Sequence, residues 1–198
     1  MSFEQKTFKE YSSEISKTVT DKRLKKIWSD MQHCERCPLS KLDKNKIRPY
    51  GRMGDKFDTL IVGQNPSWSR PDEFIKVYGG LDSLRNFEEI RDYIENEVYL
   101  TNLIKCSFED NVVPDNVDDI AVSCSFYLQK EINAVGPKKI IVLGRIACDF
   151  FGVDFDEKGE HRGINVYGLY HPSYIARRGK DEEYMKKLKE VLGIDDSE

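Results

Sequence analysis

Leu60-Ile61-Val62-Gly63-Gln64-Asn65-Pro66-Ser67 reads as a buried β-strand running into a tight turn. A short apolar run bounded by Gly and Pro fits a parallel strand covered on both faces. Gly63 lets the chain bend sharply, and Pro66 keeps it from entering a helix at once. The turn therefore holds two carboxamides, Gln64 and Asn65, at the carboxyl end of a strand, which is where ligands bind in open α/β sheets. Taken alone, Gly-x-Asn-Pro is no more than a good turn. A second segment, His171-Pro172-Ser173, follows another apolar run far along the chain and tips the balance toward a site.

Outward from this turn, strand and helix patterns alternate. Strands are predicted at 57–62, 98–104, 138–144 and 164–170, each too apolar to be half-exposed. Two helices are expected within 3–31, with Leu24, Ile27, Trp28 and Met31 on one face and Asp21 capping the second. Further helices are expected at 82–95, at 116–134 with Asn116 or Asp115 as cap, at 145–151, and at 181–192 with Gly193 as its stop. The residues after His171 read as a loop. Strands separated by helices predict a three-layer α/β/α sandwich around a mainly parallel four-stranded sheet. No internal repeat divides the chain, so residues 1–198 read as one domain, with 1–33 as its N-terminal helical part.

The bulk numbers fit such a domain. The 198 residues suffice for a sizeable core, and 39% hydrophobic with 33% charged content describes a globular protein. No apolar run is long enough to span a bilayer, and the N-terminus lacks a signal-peptide layout, so the expected location is the cytoplasm. A formal net charge of −4 argues mildly against nucleic acid, but a local patch sets the field at a binding face. Arg177 and Arg178 stand just after the His-Pro-Ser segment.

Five cysteines in such a chain do not suggest a disulfide framework. Cys34-x-x-Cys37 is a tight pair, and Cys106 and Cys124 complete a set of four that topology can bring to one edge of the sheet. Four thiolates can hold zinc or a [4Fe–4S] cluster, and spacing does not separate the two. Cys148, among Ala147, Phe150 and Phe151, reads as a small core residue.

Taken in order, Cys34-x-x-Cys37, Val62-Gly63-Gln64-Asn65-Pro66, Thr101-Asn102-Leu103-Ile104-Lys105-Cys106, Asn111-x-x-Pro114, Cys124 and His171-Pro172-Ser173 resemble the uracil-DNA glycosylase superfamily. The resemblance is closest to its iron–sulfur-containing fourth family and runs from about residue 34 to residue 175. It implies an α/β/α sandwich, DNA as partner, and a [4Fe–4S] cluster on Cys34, Cys37, Cys106 and Cys124 in preference to zinc. In that family the cluster is structural and braces a DNA-contacting loop. Three departures stand out. The fourth family carries an acidic residue where Gln64 stands and a small one where Asn65 stands. Asn65 instead matches the asparagine of the mismatch-specific and single-strand-selective branches. The segment that supplies a stacking Phe is degenerate here, leaving Phe74 and Tyr78 as candidates, with Tyr78 nearer the glycines.

The resemblance assigns roles. Asn102 reads the base, accepting from uracil N3–H and donating to O4, a pattern that cytosine reverses. His171 donates to uracil O2 and stabilises the departing anion. Asn65 orients the attacking water but cannot serve as a base. Gly63, Gln64, Pro66, Ser67, Tyr78 and Ser173 shape the pocket. Ile175 wedges into the base stack, and Arg177 and Arg178 hold phosphates. The expected activity is excision of uracil or a related deaminated base, leaving an abasic site. Without a carboxylate in the turn, turnover is expected to be slow, with a preference for single-stranded or mispaired uracil. The protein is expected to act as a monomer without membrane contact. One alternative is a catalytically weak or inactive iron–sulfur relative that binds nucleic acid. Another is a zinc-stabilised α/β domain with an unrelated small-ligand activity.

Overall fold

A computed structural model describes residues 21–42, 57–66, 68, 93 and 97–194. Five strands form one sheet: β1 (Thr59–Gly63), β2 (Val98–Asn102), β3 (Lys139–Leu143), β4 (Lys158–His161) and β5 (Ile164–Leu169), in the order β2-β1-β3-β5-β4. The first three pairings across that order are parallel, and β4 joins β5 antiparallel. The expected four strands are all present. β4 is an addition: its Lys-Gly-Glu-His sequence lies exposed or half-buried on the sheet edge and has no apolar run to reveal it.

The helices among the described residues are α1 (Lys22–Gln32), α2 (Val117–Val135), α3 (Arg145–Phe151), α4 (Pro172–Arg178) and α5 (Asp181–Leu192). Strand alternation splits the core into two layers. Leu60, Val62, Tyr99, Ile140, Val142 and Val166 face α1, α2 and α3. Ile61, Leu100, Ile141, Leu143 and Leu169 face α4 and α5. Helices on both faces of a mostly parallel sheet make the expected three-layer sandwich. No helix among the described residues is long and apolar enough to cross a membrane.

The helix ends follow the sequence closely. Asp21 caps α1, its carboxylate accepting from the backbone N–H groups of Arg23 and Leu24 at 2.7 and 3.4 Å. Asn116 occupies the cap position of α2, although its side chain makes no capping hydrogen bond. Gly193 ends α5 in the left-handed region, at φ 80°. Two expectations change. β2 stops at Asn102, and Leu103 and Ile104 instead hydrogen-bond back to Gly63 and Gln64 carbonyls, both at 2.9 Å. The segment after His171, expected as a loop, is the short helix α4: Pro172 at its first turn lacks only an N–H that no helix uses there. The first of the two expected N-terminal helices lies outside the described residues, as does nearly all of 82–95.

Candidate active site at the carboxyl edge of the sheet

Chain order reverses between β1 and β3, because β2 lies on one side of β1 and β3 on the other. Such a switch point opens a crevice at the carboxyl ends of the strands. The register pairs Gly63 with Asn102 and Leu143 with Leu169, so the ends of β1, β2, β3 and β5 share one edge. Neighbouring strands lie ~4.8 Å apart, which places the turn after β1 two intervals, ~10 Å, from the end of β5.

Asn102 sits where β2 ends and is only 8% exposed. Its side chain lies against the bare Cα of Gly63: a Cβ there would stand 2.5 Å from Asn102 Oδ1. Gly63 is still part of β1 and has no positive φ, so what requires a glycine here is the close approach of Asn102 and not the expected sharp bend. Among the described residues the Asn102 carboxamide makes no hydrogen bond, and none of its atoms is a fully buried polar orphan. Asn65, half-buried, donates from Nδ2 to the Pro66 carbonyl at 2.7 Å, which leaves Oδ1 as its remaining acceptor. Beyond it, the Trp68 N–H donates to Asn111 Oδ1 at 2.8 Å. Asn111 and Asp110 adopt positive φ, 59° and 50°, so the Asn-x-x-Pro segment is shaped to pin the turn after β1.

His171 caps α4 with its own ring. Its Nδ1 lies 3.2 Å from the Ser173 N–H and 2.7 Å from Ser173 Oγ. A backbone N–H only donates, so Nδ1 must be the unprotonated nitrogen and the neutral ring carries its proton on Nε2. Burial, with a smaller contribution from the Arg177 cation, holds the imidazole pKa below its ordinary value, which keeps the ring neutral near pH 7. Gly144, just past β3, faces it; a Cβ there would lie 3.4 Å from His171 Cβ. Asn102 and His171 thus stand on the same edge as Asn65, each seated against a strand-end glycine. No hydrogen bond links the three to one another among the described residues.

The four cysteines also converge. Cys34, Cys37, Cys106 and Cys124 line one small cavity together with Arg36 and Lys105. The Lys105 N–H donates to Cys124 Sγ at 3.2 Å and the Arg36 N–H to Cys34 Sγ at 3.5 Å. Burial pushes the Cys124 thiol up to about 11, with Cys37 and Cys34 adding to the rise and the Lys105 N–H opposing it. Among the described residues no group of three His, Cys, Asp or Glu side chains is assembled for a single metal ion. Cys148 is fully buried in the core, as its neighbours suggested.

Comparison with known proteins decides the family. The uracil DNA glycosylase superfamily profile matches residues 50–193. The chain belongs to the uracil-DNA glycosylase superfamily. It is 29% identical over 188 residues to the type-4 uracil-DNA glycosylase of Saccharolobus solfataricus, covering 84% of this chain and 85% of that one. It is 26% identical over 187 residues to the type-4 uracil-DNA glycosylase of Pyrobaculum aerophilum, covering 86% and 93%. The type-4 uracil-DNA glycosylase of Archaeoglobus fulgidus is 26% identical over 193 residues, covering 84% and 92%.

For this superfamily member three further placements matter. Ile175 does not project as a wedge: it is 5% exposed and packs in the core beneath β5, because the helical turn of α4 rotates it inward. Tyr174 is exposed instead and ends a ladder of rings. Phe155 stacks on Tyr170 at 4.0 Å and Tyr170 on Tyr174 at 5.5 Å. Arg145 caps the Phe155 end at 4.2 Å and Arg178 the Tyr174 end at 5.1 Å. Ser67, Phe74 and Tyr78 lie outside the described residues. The sequence also concealed a buried ion pair. Lys105 Nζ, 2.6 Å from Glu131 Oε2, sits where β2 meets α2, and both side chains are nearly solvent-free. Twenty-six positions separate the two residues, and each charge by itself reads as surface.

Proposed function

We propose that this chain is a DNA-repair glycosylase that extrudes uracil, or a related deaminated base, and hydrolyses its N-glycosidic bond to leave an abasic site. One observation carries the reading: a nearly buried Asn102 carboxamide, unpartnered among the described residues, lodged against Gly63 on the edge that also holds His171. The likeness to type-4 uracil-DNA glycosylases supports it. Residues 1–198 act as one domain in this reading, as a monomer in the cytoplasm.

Extrusion costs a few kcal/mol, least for unpaired or mispaired bases. Asn102 offsets this by accepting from N3–H through Oδ1 and donating through Nδ2 to O4. Cytosine presents the reverse pattern and leaves both groups opposed. In hydrolysis the C1′–N1 bond breaks with its electron pair passing to the base, a water oxygen bonds to C1′, and the surplus proton of that water passes through solvent to the uracil anion. The Nε2–H of neutral His171 donates to O2 as that charge develops, and Ser173 fixes the tautomer. Asn65 Oδ1 accepts from the attacking water but cannot remove its proton, so the cationic sugar gains less help than a carboxylate would give. Slow turnover and a preference for single-stranded or mispaired uracil follow.

Gln64 and Pro66 shape the turn beside the base. Tyr174, with Arg177 and Arg178, takes the DNA contact that sequence reasoning gave to Ile175. The four cysteines fit an all-thiolate [4Fe–4S] cluster: they share one cavity, and two backbone N–H groups already point at sulfur. Such a cluster, when bound, would brace the 34–37 segment against the end of β2 and α2.

The test is incubation with a single-stranded oligonucleotide containing one uracil, followed by alkali. Strand scission at the uracil, absent with cytosine in its place, is expected. Tight binding without scission would favour a non-catalytic relative and overturn the enzymatic reading.

A further inference from the structure

β2 is the edge strand of the sheet on its outer side. In a parallel pair alternate residues direct both backbone groups toward the neighbour. Leu103 turns its N–H to the Gly63 carbonyl, so the Asn102 carbonyl points the other way, where no strand among the described residues pairs with it. A buried carbonyl at such an edge needs a donor. Lys105 supplies it: Nζ donates to the Asn102 carbonyl at 2.6 Å, to Thr101 Oγ1 at 2.7 Å and to Glu131 Oε2 at 2.6 Å. All three ammonium protons are used. Glu131 is held in turn by Thr101 and Tyr99 hydroxyls, both at 3.0 Å, and Tyr99 receives the Trp28 indole N–H at 3.4 Å. The chain of bonds runs from α1 through α2 and ends on the peptide that carries Asn102.

We infer that Lys105 is a positioning residue for base recognition: its ammonium clamps the Asn102 carbonyl and so sets the direction in which the Asn102 carboxamide faces the extruded base. A buried ion pair is a poor device for stability alone, since well-packed apolar residues do as well or better. Its value here is a fixed peptide plane, which holds the Asn102 side chain against Gly63. This inference rests on the reading of Asn102 as the base reader.

The experiment measures a ratio that general destabilisation does not move. Affinity is measured for a single strand carrying a C-glycosidic uracil, which binds but is not cut, and for the same strand with an abasic site. Wild type, Asn102→Ala and the paired variant Lys105→Met/Glu131→Gln are compared, the pair being changed together so that no lone charge is left buried. Wild type is expected to prefer the uracil strand. The paired variant should lose that preference by about tenfold, within the usual range of coupling between contacting residues, while abasic affinity holds. Adding the pair to Asn102→Ala should change the ratio no further. If wild type shows no preference, or Asn102→Ala keeps it, the reading of Asn102 fails and this inference with it. If Asn102 behaves as expected but the paired variant keeps the wild-type ratio, this inference alone is overturned. Should that variant not fold, Lys105→Met/Glu131→Leu, which removes the donor to the Asn102 carbonyl and puts an apolar pair in its place, is read the same way: a reduced ratio supports the clamp, an unchanged one overturns it.

Discussion

Replacing Gly63 by alanine separates recognition from folding. The added Cβ would stand 2.5 Å from Asn102 Oδ1, while ordinary contact begins at 3.4 Å. The carboxamide must therefore withdraw by about 0.9 Å, since the β1 backbone is held on both sides by β2 and β3. The atom that yields is the tip of a side chain, so folding loses little. Gly-to-Ala exchange in a compatible conformation even tends to stabilise by about 0.4–1 kcal/mol through the unfolded chain. Recognition has no such slack, because misplacing a positioned group by about 1 Å can cost on the order of 100-fold in rate. The expectation is a melting temperature within a few degrees of wild type and uracil excision reduced about 100-fold. Single-turnover cleavage of a uracil-containing oligonucleotide and thermal denaturation read the two quantities on the same preparation. Full activity in a folded Gly63→Ala protein would refute the claim that the Asn102 amide, seated where it is, reads the base.

His171→Ala should lower excision by about 100- to 1,000-fold, the usual cost of one donor to a developing anion. Its pKa is held below the ordinary 6.5 by burial. Below pH 6.5 the unfolded chain therefore binds a proton that the folded chain refuses, and stability falls on acidification until the folded pKa is reached. His171→Gln should flatten part of that limb in urea melts at pH 5–7, His161, shifted the same way, retaining the rest. Glu131→Ala strands the Lys105 ammonium and should cost about 3–5 kcal/mol, read as a lower denaturation midpoint. Cys124→Ala should abolish visible absorbance and bound iron and sulfide in protein purified anaerobically, while Cys148→Ala should leave them intact. Tyr174→Ala should weaken binding to single-stranded DNA by about 1–3 kcal/mol while Tyr174→Phe does not, as stacking requires the ring and not the hydroxyl.

The sheet was legible because its central strands bury both faces and so carry continuous apolar runs: Ile140 through Leu143 are each at most 1% exposed. β4 was not, because an antiparallel edge strand of Lys158, Gly159, Glu160 and His161 buries almost nothing. α4 is hard to tell from a loop because it runs for only seven residues between His171 and Gly179; the cap that makes it a helix comes from a histidine ring, which no capping preference anticipates. The strand-end positions of Asn65 and His171 could be inferred from where the apolar runs stop; that of Asn102 could not, because Leu103 and Ile104 continue the apolar run past the end of β2. The inward direction of Ile175 is not legible in the sequence, because it depends on the helical turn of α4. Lys105 and Glu131 were invisible for a different reason. A charge reveals its burial only when its partner is known, and α2 brings that partner in from 26 positions away.

Detection of free uracil by chromatography, after incubating the anaerobically purified protein with a uracil-containing single strand, tests the central claim most directly. The account predicts release of one uracil per lesion by wild type, none from the matching cytosine strand, and a severe loss in Asn102→Ala. Uracil release at an undiminished rate by folded Asn102→Ala, or none from wild type, would contradict it.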